Sequence, residues 1–115
     1  MLRGISPLLT PALLKLLMEM GHDEAIVLAD ANFSAMSVAA GKPVLRLPGV
    51  SMVQAITAVD ALLPLEAEVD HPLAYMQVTG TDALSPSAGQ SALQREVLAL
   101  LKGRLQPHQS AEALA

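Results

Sequence analysis

Two residues of this chain combine the types and spacing that acid–base chemistry needs. His22 and Asp30 flank the apolar run AIVLA in MGHDEAIVLADANF, residues 20–33. Imidazole has an unperturbed pKa of about 6.5, so it both gives and takes protons near neutrality. Asp30 falls at the carboxyl end of AIVLA, the edge at which open α/β sheets bind ligands. Ala31 is small, and Asn32 donates and accepts hydrogen bonds. Asp30, Asn32 and a nearby His22 suit a hydroxyl-rich ligand. The same residues also suit purely structural roles. His22 follows a helix end, where a cation favours the helix dipole, and Asp30 with Asn32 suits a turn after a strand. Geometry limits the functional reading. Five extended residues cover roughly 16 Å, longer than one sugar ring. His22 and Asp30 of one chain therefore meet one small ligand only if a flanking loop folds back. Otherwise each meets its counterpart from a neighbouring subunit.

Other chemical signals are weaker. Asp70-His71, in VDHPL, is an adjacent pair without further ligands at a metal-site spacing. His108 lies in a polar tail and reads as solvated. Gly80-Thr81-Asp82 follows a strand pattern but lacks the glycine spacing of a phosphate loop. The six methionines sit mostly at apolar positions and read as packing.

The elements that must position these residues follow from the pattern. Thr10-Pro11 starts a helix, with Thr10 as cap and Pro11 at the first helical position. Leu13, Leu14, Leu17 and Met18 fall on one face of it, and Gly21 is the expected stop. AIVLA, residues 25–29, reads as a strand buried on both faces. Residues 34–42 read as a loop. PVLRLPG, 43–49, reads as a short strand closed by Pro48-Gly49. Ser51 to Leu63 reads as a helix opened by a Ser51–Gln54 capping box and ended by Pro64. Its apolar face is Val53, Ile56, Val59, Leu62 and Leu63. Pro72 to Thr79 reads as a third strand, followed by a turn at 80–82 and a connector at 85–90. A third helix covers 91–102, with a Ser91–Gln94 box, an apolar face of Leu93, Val97, Leu98, Leu100 and Leu101, and Gly103 as terminator. The tail, 106–115, has too little periodicity to place. This order predicts an α/β fold with helices covering a largely parallel sheet. Three short strands make that sheet thin.

Composition narrows the function classes. The chain has 115 residues, enough for one domain, and is 52% hydrophobic. Phe33 and Tyr75 are its only aromatic residues, so the core must be aliphatic. That aliphatic excess predicts apolar surface covered by other subunits. The net charge of −4, with no basic run, argues against nucleic acid as a partner. No stretch reaches the roughly 18 uncharged apolar residues of a membrane span. Pro7, Pro11, Lys15 and Glu19 break the pattern of a signal peptide. The absence of cysteine excludes disulfides and fits a cytoplasmic protein.

The longer strings say more than their spacing. GISPLLTPALL, the MGH that follows the first helix, and LADANF closely resemble the start of the ribose pyranase and fucose mutarotase family, its fucose mutarotase branch in particular. VLRLPG and HPLAYMQV resemble later parts more loosely. The resemblance implies a cytoplasmic isomerase that interconverts anomers or ring forms of a free monosaccharide without metal or organic cofactor. It implies a three-layer α/β/α fold with a mixed, largely parallel sheet, and a homo-oligomeric ring, often a decamer, with sites at subunit boundaries. On this resemblance His22 is the catalytic residue and Asp30 the substrate-binding one. L-fucose is the expected sugar. Two departures stand out. The family usually has proline where this chain has Ser34. The chain also has no Tyr-x-Asn element, which the family carries in a C-terminal segment. The expectation is a single mutarotase-like domain over 1–115, shortened relative to the family. The alternative is a non-catalytic sugar-binding or assembly protein of the same fold.

Overall fold

The computed structural model describes residues 2–79 and 89–115. The chain divides into two compact units, Met1–Pro64 and Leu65–Ala115. The first holds α1 (Pro11–Glu19), α2 (Ala35–Ala39) and α3 (Met52–Asp60). The second holds β1 (Leu73–Met76), α4 (Ala92–Leu101), a 3₁₀ turn over Lys102–Arg104, and β2 (Ala111–Leu114). Helices with a small parallel sheet make this an α/β chain.

The first unit is built on aliphatic spacing. Thr10 Oγ1 accepts the Leu13 amide at 3.2 Å, satisfying one of the helix-start donors left without an intrahelical partner. Leu13 and Leu17, four residues apart, then point the same way. They are buried with Leu9, Ala58 and Val59 in one cluster, against which Ile5, Leu8, Leu14, Met20, Ile26, Leu47 and Leu63 pack. α3 starts with the expected reciprocal box: Ser51 Oγ accepts from Gln54, and Gln54 Oε1 accepts from Ser51. Met18, expected on the inner face of α1, is instead 87% exposed. It lies at the rim of a stripe that Leu13 and Leu17 already fill.

Two expected strands are absent among the described residues. AIVLA and the 43–49 segment join no sheet. In AIVLA, Ile26 and Leu28 are half-buried while Ala25, Val27 and Ala29 are exposed. The alternation is strand-like, yet one face is open and no neighbour supplies a ladder. Apolar character sets which face turns inward, but a strand also needs a partner's backbone groups. The loop expected at 34–42 contains α2, which exits through Ala40 in the left-handed conformation. α3 ends at Asp60, short of Leu63 and Pro64. Pro48-Gly49 forms the expected turn. Gly49 has φ +75°, and the Val50 amide donates to Leu47 O at 3.3 Å, as a turn with proline before a positive-φ glycine does.

In the second unit β1 and β2 run parallel, in register from Leu73 with Ala111 to Met76 with Leu114. α4 opens with the expected Ser91–Gln94 box. Gln94 Nε2 also donates to Met76 O at 2.8 Å, tying the start of α4 to β1. The apolar face of α4 is only partly covered, since Leu101 is buried but Leu93 and Leu100 are exposed. Gly103 does not terminate this helix, because the chain tightens there into the 3₁₀ turn, a frequent helix ending. β2 comes from the tail that the pattern left unplaced. Its sequence, Ala-Glu-Ala-Leu, has low strand propensity, so its order must come from what precedes it. Gln109 is buried, and its Nε2 donates to the carbonyls of Glu66 and Val69, each at 2.8 Å. Its Oε1 accepts the Gln106 amide at 3.0 Å. The turn at 80–82 and residues 85–88 of the connector lie outside the described residues.

Gln109→Ala is expected to leave two carbonyls without this donor and to cost about 1–3 kcal/mol. Urea unfolding checks this. A variant as stable as the parent would show that Gln109 anchors nothing.

Candidate functional site

His22 sits in a turn rather than at a glycine helix stop. α1 ends at Glu19, with Met20 extended at φ −67° and ψ 132°. Gly21 does not take the left-handed conformation; Asp23 does, at φ +63°. Aspartate is one of the few side chains that tolerates this region. The Glu24 amide donates to Gly21 O at 3.3 Å. In return the Gly21 amide donates to Glu24 Oε1 at 3.1 Å. His22 is thus the first of the two central residues of a doubly closed turn, and it is exposed.

Asp30 lies beyond the AIVLA run, also exposed. Its Oδ1 accepts the Asn32 amide at 2.8 Å, and its carbonyl accepts the Phe33 amide at 3.2 Å. This is the side-chain-closed turn that aspartate favours, and α2 follows it directly. A carboxylate has two oxygens and about four lone-pair sites. Closing the turn therefore leaves Asp30 with further acceptor capacity. The structure places both residues at the surface of the first unit, each on its own turn, with the AIVLA run between them.

The other histidines are positioned differently. His71 Nδ1 lies 3.1 Å from both the carbonyl and the hydroxyl of Ser110, so this ring fastens the residue before β2. Asp70 takes part through its carbonyl, which accepts the Ser110 amide at 3.0 Å. His108 is exposed. Among the described residues no three His, Asp or Glu side chains group as metal ligands. An open groove of about 400 Å³ lies between the N-terminal loop and α3, lined by Ser6, Leu8, Val53, Thr57 and Ala58 among others. Neither His22 nor Asp30 lines it. Its mostly apolar walls offer no group that carries protons near neutrality. Among the described residues no helix is long and apolar enough to cross a membrane.

Sequence reasoning missed Glu24 as the residue that closes the His22 turn. The available signal was an acceptor side chain three residues after Gly21, beside an aspartate suited to positive φ. Gln109 had no comparable signal, since its partners lie about 40 residues away along the chain.

The chain is therefore an α/β protein carrying a turn-mounted histidine and a turn-mounted aspartate at either end of an apolar run. It belongs to the RbsD / FucU transport protein family, whose pattern matches residues 3–114. It is 46% identical over 87 residues to an L-fucose mutarotase of Haemophilus influenzae strain PittGG, covering 76% of this chain and 59% of that protein. An L-fucose mutarotase of Actinobacillus pleuropneumoniae serotype 5b strain L20 is 40% identical over 93 residues, 81% of this chain and 63% of its own length. One of Histophilus somni strain 2336 is 39% identical over 94 residues, 82% of this chain and 64% of its own. The chain thus spans less than two thirds of the length of these relatives.

Proposed function

We propose that this chain is a monosaccharide mutarotase-like domain over residues 1–115, an isomerase that interconverts the anomers of a free sugar, with L-fucose as its substrate. The observation that carries the reading is the likeness to proteins named L-fucose mutarotase across most of this chain. His22 is the proton carrier. Its imidazole takes the anomeric hydroxyl proton as the bond from the anomeric carbon to the ring oxygen breaks, and the imidazolium then gives that proton to the ring oxygen. The open-chain aldehyde turns and closes on its other face by the reverse steps. Asp30 accepts hydrogen bonds from sugar hydroxyls and holds the ring in register. Both transfers are acid–base steps of a kind that an imidazole side chain performs, and neither requires a metal or organic cofactor.

The same reading extends to assembly and place. The protein works in the cytoplasm as a homo-oligomeric ring, a decamer, with a three-layer α/β/α fold and a mixed, largely parallel sheet. Met18, Val27, Met36 and Val38 are exposed, and a neighbouring subunit covering them would take their side chains out of water. The alternating burial along AIVLA supports its joining a sheet once a partner strand is present. The test of function is saturation transfer between the anomeric protons of L-fucose, with D-ribose as a second sugar. Exchange of L-fucose faster than in buffer is expected. A rate equal to buffer for both sugars rejects the proposal.

A further inference from the structure

We infer that Glu24 is a positioning residue for His22, an assignment that rests on the mutarotase reading above. Proton transfer needs the imidazole within about 2.6–3.2 Å of each oxygen it serves. An exposed side chain on a loose turn would seldom hold that placement. The direction in which His22 leaves the backbone is set by the Gly21–Glu24 turn, and two hydrogen bonds close that turn. One is backbone to backbone, from the Glu24 amide to Gly21 O at 3.3 Å, which is long. The other uses the Glu24 carboxylate, which accepts the Gly21 amide at 3.1 Å.

The turn has reason to need the second bond. Asp23 sits at φ +63°, a left-handed conformation that aspartate tolerates but that still costs more than negative φ. Without the carboxylate, the Gly21 amide loses its acceptor and Asp23 can relax toward negative φ, which rotates His22. Glu24 is itself exposed, so its replacement leaves the Leu13 cluster undisturbed. The role lies in the acceptor oxygen rather than in the charge. Glutamine keeps that oxygen at the same reach, and alanine removes it.

The experiment measures sugar anomer exchange by the full chain and its variants across L-fucose concentrations, together with hydrogen exchange of the Gly21 amide. Glu24→Ala is expected to lower the exchange rate at saturating sugar by about tenfold to a hundredfold, the size of effect that misplacing a reacting group produces. The half-saturating concentration should stay unchanged if Glu24 acts only through the turn. Its Gly21 amide should exchange faster. Glu24→Gln should stay within about twofold of the parent in rate and keep the amide protected, since its side-chain oxygen still accepts. If the parent is active and His22→Ala inactive while Glu24→Ala keeps the parental rate, the assignment is overturned and the mutarotase reading stands. The assignment is equally overturned if Glu24→Gln is as impaired as Glu24→Ala, or if the loss appears only in the half-saturating concentration. A parent chain that does not accelerate exchange overturns the mutarotase reading, and this assignment with it.

Discussion

Replacing His22 with alanine is expected to remove catalysed anomer exchange while leaving the fold and assembly as they were. The imidazole is the group proposed to move both protons, and a positioned acid–base side chain contributes about 10²–10⁴-fold. Mutarotation proceeds slowly in water, so the variant should fall to the buffer rate rather than to zero. Stability should hardly change, because His22 is exposed in a turn whose closure depends on Gly21 and Glu24. Substitutions at exposed positions usually cost little. Asp30→Ala offers a contrast, since losing the acceptor proposed to hold the sugar should raise the half-saturating concentration. Loss of stability in His22→Ala equal to its loss of activity would assign the residue to structure.

The second large effect is expected in the core of the first unit. Leu13 is 4% exposed and packs in the cluster with Leu9, Leu17, Ala58 and Val59. Leu13→Ala removes three heavy atoms from a site where α1 meets α3, and such changes cost about 2–5 kcal/mol. Small domains have only about 5–15 kcal/mol of stability in all, so much of it would be lost. Thermal unfolding should show a midpoint lower by about 8–40 °C, taking about 4–8 °C per kcal/mol for a domain of this size class. Met18→Ala, five residues along the same helix but 87% exposed, should shift it little. Equal effects from the two would mean that the inner face of α1 is misassigned.

What the sequence made legible depended on how local each determinant is. The Thr10-Pro11 start, the two Ser–Gln capping boxes and the Pro48-Gly49 turn are written in residues three or four apart, and all form as read. The Asp30–Asn32 turn is equally local and also forms. AIVLA shows where local information stops, because its apolar character is plain but a sheet partner lies elsewhere. β2 shows the converse: Ala-Glu-Ala-Leu is a poor strand sequence held by Gln109 and by the Ser110–His71 contact, both long-range. At the candidate site, the strings MGH and LADANF mark His22 and Asp30 as candidates through likeness to a family. Spacing alone favours a structural role for both. The turn that carries His22 is not the glycine stop that Gly21 suggests. Its geometry depends on Asp23 accepting positive φ and on Glu24 reaching back, a cooperation that no single residue announces.

The most direct measurement places parent and His22→Ala proteins side by side, at matched concentrations, in saturation-transfer NMR of free L-fucose. The account predicts an exchange rate that rises in proportion to parent protein, and a His22→Ala sample indistinguishable from buffer. Parent protein that leaves the rate at the buffer value, or a His22→Ala variant that raises it just as much, would contradict the account.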